Sequence, residues 1–238
     1  MAIAHRPDVE DTLGELVNRL PGSSRVLESF GIDYCCGGRR TLDEACAELG
    51  VAAADVAAAL AALGPGEAPE WAHLDPGALV DHLESTHHAY LHAELPRLDA
   101  LAAKVASVHG ARHPELIEVL ADVKDLADDL EPHLMKEERV LFPMIRELSV
   151  ADGPVATHCG SVRRPVAVMM AEHETTGRLL ERLRAHTGGF SVPADGCASY
   201  RALYEGLAEL EADTHLHVHK ENNVLFPAVV AMEGELGA

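Results

Sequence analysis

Residues 133–145 read HLMKEERVLFPMI and residues 217–229 read HVHKENNVLFPAV. Both follow one pattern, His-x-x-Lys-Glu-x-x-Val-Leu-Phe-Pro. The two histidines, His133 and His217, stand 84 residues apart, as do the two glutamates, Glu137 and Glu221. Upstream, His88 precedes His133 by 45 residues and His173 precedes His217 by 44. Each upstream histidine is followed by leucine at its seventh and tenth positions: Leu95 and Leu98, then Leu180 and Leu183. The second part of the chain therefore reads as two copies of a helical hairpin, with one His on the first helix and His-x3-Glu on the second.

Residues i and i+4 share a helix face, so a His and a Glu at this spacing can address one ion. Two such units facing each other across a bundle can hold two ions, with the carboxylates bridging and the imidazoles completing each position. Helical bundle cores are where carboxylate-rich two-metal sites are built. An isolated His-x3-Glu would carry little weight. Its recurrence in matched context, each time with a matched upstream His, makes a metal site of His88, His133, Glu137, His173, His217 and Glu221. A His and carboxylate set suits iron, although imidazole also suits zinc, copper and nickel. The Leu-Phe-Pro after each unit reads as core packing and helix termination.

The other histidines fit less well. His87 lies about 100° from His88 on a helix, and the internal repeat favours His88. His82 and His92 are near in sequence only. His215 and His219 flank His217 and face away from it. His5, His73, His109, His113, His158 and His186 are expected to be exposed.

Around this motif the 238 residues are 47% hydrophobic and only 4% aromatic, with alanine and leucine dominating; these are helix formers. Residues 1–65 read as a small helical domain, with helices near 11–20, 23–30, 41–49 and 55–63. Thr41 starts a capping box with Glu44, and Gly50 and Gly64 are natural stops. A Pro/Gly-rich linker, GPGEAPEWAHLD (64–75), leads to a bundle spanning 75–234. Its four long helices run near 76–108, 114–148, 163–186 and 196–232. Asp75-Pro76 caps the first, and Pro96 should kink it. Short connections imply an up-down-up-down, all-α bundle; SVADGPVATHCGSV (149–162) is the longest, and His158 and Cys159 within it have no assigned role.

The net charge of −20, from 19 Lys and Arg against 39 Asp and Glu, excludes the basic face that nucleic acid or an anionic membrane surface requires. There is no signal-peptide pattern and no apolar run near the roughly 20 residues of a membrane span, so the expected location is cytoplasmic. The five cysteines are odd in number and irregularly spaced, which argues against a disulfide framework. Cys35 and Cys36 are adjacent, too close in backbone for an unstrained disulfide. They read either as reactive thiols, exposed by Gly37-Gly38 and activated by Arg39, Arg40 and the helix starting at Thr41, or as ordinary buried cysteines at a turn. Cys46 and Cys197 look like small core residues.

Four stretches, DYCCGG (33–38), HLMKEERVLFPMI (133–145), AEHETTG (171–177) and KENNVLFP (220–227), occur in the order and spacing of one family across nearly the whole chain. On these the sequence resembles the RIC proteins (repair of iron centres, the YtfE/ScdA type), in which a small N-terminal domain precedes a hemerythrin-like four-helix bundle. The resemblance implies two irons bridged by Glu137, Glu221 and an oxo or hydroxo group, with His88, His133, His173 and His217 completing the set. It implies repair of iron–sulfur clusters damaged by nitrosative or oxidative stress. That repair would proceed by iron donation, by reduction of nitric oxide to nitrous oxide, or by both. Damaged iron–sulfur proteins would be the partners, and nitric oxide or dioxygen the small ligands. It favours a redox or iron-handing role for Cys35 and Cys36. Asp129 and Glu172 are candidates to orient ligands or relay protons. The sequence departs from the family where the residue before the first ligand is His87 rather than Tyr, and where a second His expected three residues after it is Leu91, with His92 next. Two other readings stay open: a dioxygen or nitric oxide sensor or carrier without turnover, and a structural metal bundle. A homodimer through the N-terminal domain is compatible with the sequence.

Overall fold

Thr12 and Thr41 start two of the short N-terminal helices by the same device. Each threonine hydroxyl accepts a hydrogen bond from the N–H three residues on, and the glutamate there, Glu15 or Glu44, accepts from the threonine N–H. In the computed structural model, which describes residues 7–64, 66–153 and 160–236, these helices are α1 (Leu13–Arg19) and α3 (Leu42–Leu49). With α2 (Ser23–Ser29) and α4 (Ala53–Ala62) they form the N-terminal helical region. Gly50 ends α3 in the left-handed region, at φ 68°, where the absence of a Cβ removes the steric cost. The linker holds a single 3-10 turn, Glu70–His73. Its Trp71 is partly buried against both the N-terminal core and one end of the bundle.

The bundle follows. Its first helix is α5 (Pro76–Leu83), a π-helical turn at Glu84–His88, and α6 (Ala89–His109). Asp75 caps it by accepting from the Ala78 N–H. The second is α7 (Glu115–Lys136), a π turn at Glu137–Leu141, and α8 (Phe142–Ser149); the third is α9 (Arg163–His186). The fourth is α10 (Ala198–Lys220), a π turn at Glu221–Leu225, and α11 (Phe226–Leu236). Pro96 lies inside α6, which is helical on both sides of it; π-helical geometry occurs at three turns elsewhere in the bundle. Among the described residues there is no strand, only an isolated bridge between Thr12 and Thr41, and no helix is long and apolar enough to cross a membrane.

Two apolar clusters fill the bundle, and they are stacked along it. One contains Leu91, Leu95 and Leu98 of α6, Leu126, Leu130 and Leu134 of α7, Leu180 and Leu183 of α9, and Leu203, Leu207 and Leu210 of α10. The other contains Leu79 and Leu83 of α5, Leu141, Phe142 and Ile145, Met169 of α9, and Leu225, Phe226 and Val229. A buried leucine or phenylalanine stabilises the fold by roughly 1.5–3 kcal/mol relative to exposure, so both clusters are substantial. On every helix a gap separates them; His88, Glu137, His173, His217 and Glu221 fall in that gap, and His133 stands at its edge beside Leu134. A third cluster forms the N-terminal core and takes in Val218 of α10.

Candidate metal centre

The π turns place the carboxylates. Pro143 and Pro227 have no N–H, so each leaves one carbonyl of the regular ladder without its partner. Ahead of each the helix widens by one residue, and the Phe142 and Phe226 N–H groups bond back to the carbonyls of Glu137 and Glu221. Near His88 no proline is present. There the Ser85 and Thr86 hydroxyls donate to the carbonyls of Asp81 and His82, at 2.7 and 2.6 Å. Single π turns inside α-helices are frequent at functional sites.

The six predicted side chains meet in two overlapping groups. His88, Glu137, His217 and Glu221 form one; His133, Glu137, His173 and Glu221 form the other. Within each group the ligand atoms lie within 4.8 Å of one another. Both glutamates belong to both groups, the arrangement that bridging carboxylates require. All six residues are at most 2% exposed.

Hydrogen bonds from the outer ring nitrogens fix the imidazoles. His133 Nδ1 donates to Glu172 Oε2 (2.9 Å), His173 Nδ1 to Asn222 Oδ1 (2.9 Å) and His88 Nδ1 to Glu138 Oε1 (3.0 Å). A neutral imidazole has one N–H, so these three Nε2 atoms carry lone pairs, and all point inward. The His133 and His173 Nε2 atoms are 3.1 Å apart. His88 Nε2 faces Glu137 Oε2 at 3.5 Å. Glu221 Oε2 lies 3.1 Å from His173 Nε2 without the alignment of a hydrogen bond. His88 Nε2, both Glu137 oxygens and Glu221 Oε2 are buried without a hydrogen-bond partner. Converging lone pairs and buried carboxylates repel one another; a cation in each group would reconcile them. The residues present thus fit a metal pair.

Protonation states agree. Burial, then repulsion from His217, lowers the His88 pKa to about 4. Burial, then His173, does the same for His133. Both are neutral near pH 7, the state that ligates metal. Burial and the adjoining Glu221 push Glu137 well above the usual carboxylate range. Burial also opposes ionisation of Glu221, but His217 and His173 outweigh it and hold this carboxyl low.

The surroundings divide the remaining candidates. Glu172 bonds to His133 and pairs with Lys136. Asp129 does not reach the six; it accepts from the Thr176 hydroxyl at 2.7 Å. Three residues missed in sequence stand beside the centre. Glu138 accepts from both His88 and His92. Asn222 holds His173. Lys220 is buried with its Nζ 2.7 Å from His87 Nε2 and 2.9 Å from His82 Nε2; burial lowers its pKa to about 8. His87 passes its other nitrogen to Asp213 (2.9 Å) and stacks on His217, with centroids 5.4 Å apart. The repeat carried a signal for these: Glu138 and Asn222 occupy the same position in the two copies, as do Lys136 and Lys220.

The DYCCGG loop lies against the last π turn. Gly38 is required there, because a Cβ would sit 2.3 Å from Asn223 Oδ1. The Cys35 carbonyl accepts from Asn223 Nδ2 (2.9 Å) and Asn222 Nδ2 (3.4 Å). His219, at 0% exposure, bonds to Asn18 Oδ1 (2.8 Å) and contacts the Tyr34 carbonyl. Asp33 gathers the loop, its Oδ1 accepting from the Cys35 and Cys36 N–H groups and the Cys35 thiol.

Several expectations need correction. Arg40 binds Glu48 and loop carbonyls, and Arg39 is exposed. Cys35 is buried rather than exposed by the glycines, and its pKa is pushed up by the bond with Cys36, by burial and by Asp33. Cys36 is half-buried, and both line a cavity of about 160 Å³ with Glu181, Arg184 and His215. Cys197 is exposed, because it sits at the start of α10. His109 is buried, packed on Tyr200 and 3.2 Å from the Cys197 sulfur; His113 and His186 are half-buried against acids. Cys46 is in the core and His73 is exposed, as expected. His5, His158 and Cys159 lie outside the described residues.

Residues 79–229 match the hemerythrin HHE cation binding domain, and residues 9–64 match ScdA_N, a domain of unknown function. The iron-sulfur cluster repair protein YtfE of Escherichia coli O157:H7 is 36% identical over 227 residues, covering 94% of this chain and 98% of that protein. The probable iron-sulfur cluster repair protein of Haemophilus influenzae is 33% identical over 225 residues, 93% and 97% of the two chains. The chain belongs to the RIC family. The hemerythrin match implies iron as the cation of this RIC bundle, and the DYCCGG loop lies within the residues that match ScdA_N.

Proposed function

We propose that this RIC protein holds two irons and repairs iron–sulfur clusters damaged by nitrosative or oxidative stress. Its ligands would be His88, His217 and the two glutamates for one iron, and His133, His173 and the same glutamates for the other. The observation that carries this reading is the pair of overlapping groups sharing Glu137 and Glu221, with imidazole lone pairs directed inward. The relatives' names supply the repair role. The division at residues 64–75 into a 1–65 domain and a 75–234 bundle belongs to the same proposal, as do damaged iron–sulfur proteins as partners.

Two modes of repair follow. In one, iron leaves the centre for a damaged cluster, and Cys35 and Cys36 assist the transfer. In the other, nitric oxide is removed: two molecules give nitrous oxide and water with two electrons and two protons. Bound iron would supply the electrons and the open coordination positions. The chain's own residues keep His88 and His133 neutral by burial, exclude bulk water with apolar layers on both sides, and set Glu138 and Glu172 at the rim, half-buried, where protons can be exchanged.

The test is anaerobic addition of nitric oxide to the reduced, iron-loaded protein, following nitrous oxide and released iron together. Nitrous oxide near one per two irons, with iron retained, is the result of the reductase mode. Iron passed to an acceptor without nitrous oxide is the result of the donor mode. Reversible nitric oxide binding with neither product would replace both with a gas sensor or carrier.

A further inference from the structure

The two copies of the internal repeat solve one problem differently. In the first, Glu138 follows Glu137 and holds His88 Nδ1; in the second, Asn222 follows Glu221 and holds His173 Nδ1. A carboxylate has nothing left to donate. The Asn222 amide does, and its Nδ2 points at the Cys35 carbonyl, 3.4 Å away. The amide orientation is forced, since its oxygen must accept from His173 and would repel the Cys35 carbonyl if reversed. Asn222 is 5% exposed, so water does not compete strongly for either bond. Asn223 supports the same carbonyl at 2.9 Å but touches none of the six site residues.

We propose that Asn222 is a positioning residue that couples metal occupancy at His173 to the conformation of the Cys35-Cys36 loop. This rests on the reading of His173 as a metal ligand. When an ion fixes the His173 ring, the ring fixes the Asn222 amide, and the amide holds the Cys35 carbonyl and the loop behind it. In the metal-free state the ring relaxes away from its repelling neighbours, and the loop loses one of its two amide anchors. Coupling of this kind is reciprocal: a displaced loop weakens the metal at His173.

The test uses the full chain, metal-free or loaded with manganese(II), an ion that thiols bind poorly compared with softer metals. Bound manganese is counted by equilibrium dialysis, and the alkylation rate of Cys36 is read by peptide-resolved mass spectrometry. In the unmodified protein, loading slows Cys36 labelling by about fivefold or more, a typical size for coupling between sites. Asn222→Asp, or Asn222→Glu if the first does not fold, keeps the acceptor for His173 and removes the donor. It binds manganese and labels at one rate in both states. Asn223→Ala raises the rate in both states and keeps their ratio. Equal rates in the loaded and empty unmodified protein overturn the coupling, as does an undiminished ratio in the Asn222 variants. Manganese(II) is the weakest binder of its series, so if it does not bind, iron(II) under anaerobic conditions replaces it as the probe. Failure of the unmodified protein to bind either would remove the metal-site reading itself, and the coupling with it.

Discussion

Glu137 and Glu221 each stand in both four-residue groups, whereas each histidine stands in one. Glu137→Ala or Glu221→Ala should therefore abolish binding at both positions, while His88→Ala should leave the His133–His173 position filled. Metal analysis after desalting reads the difference as loss of both ions against loss of one. Glu172→Ala and Glu138→Ala remove only the acceptor behind an imidazole and should weaken metal affinity by about 10–100-fold, measured by chelator competition. At this scale the sequence was informative about the residues that face inward. The choice of His88 over His87 followed from the repeat, and the structure turns His87 toward Lys220 and Asp213. What spacing could not reveal were partners from other helices, such as Asn222 behind His173. Asp129 fell outside the cluster because its carboxylate is taken up by the Thr176 hydroxyl of the neighbouring helix, a partner that spacing along one helix does not reveal.

The long helices were legible because the apolar residues recur with helical period, and caps were legible at Asp75 of the first long helix and at Thr41 of the short α3. The π turns were not, since proline also stands at Pro96 and Pro132 inside regular α-helix and so does not by itself mark one. Phe142-Pro143 and Phe226-Pro227, read as terminators, interrupt one helical segment and start the next. The stacked clusters give each element a measurable share in stability. Leu126→Ala, within the first cluster, should cost about 2–5 kcal/mol in denaturant unfolding of the metal-free protein. Metal stoichiometry at low denaturant should be unchanged, because Leu126 lies two helical turns from His133.

The whole molecule carries an acid sensitivity that no single helix shows. His88, His133 and His219 have folded-state pKa values lowered to about 4 by burial, against about 6.5 in an unfolded chain. Between these values these three groups bind more protons in the unfolded state, so their summed contribution to stability rises with pH, opposed by Glu137, whose raised pKa keeps a proton on the folded state. The metal-free protein should lose melting temperature as pH falls from about 6.5 to about 4, and these three groups should add nothing further below that. A flat profile across this window would refute the burial argument. The bundle was legible in outline from the duplicated hairpin, but the seating of the N-terminal region was not. It depends on contacts such as His219 with Asn18, some two hundred residues apart in sequence, which leave no periodic trace. Finally, the two apolar clusters close the bundle on either side of the polar layer, and neither needs an ion for its cohesion. The empty chain is therefore expected to fold first and be filled afterwards, unlike small metal domains whose folding waits on the ion; an unchanged far-ultraviolet circular dichroism spectrum after chelation checks this.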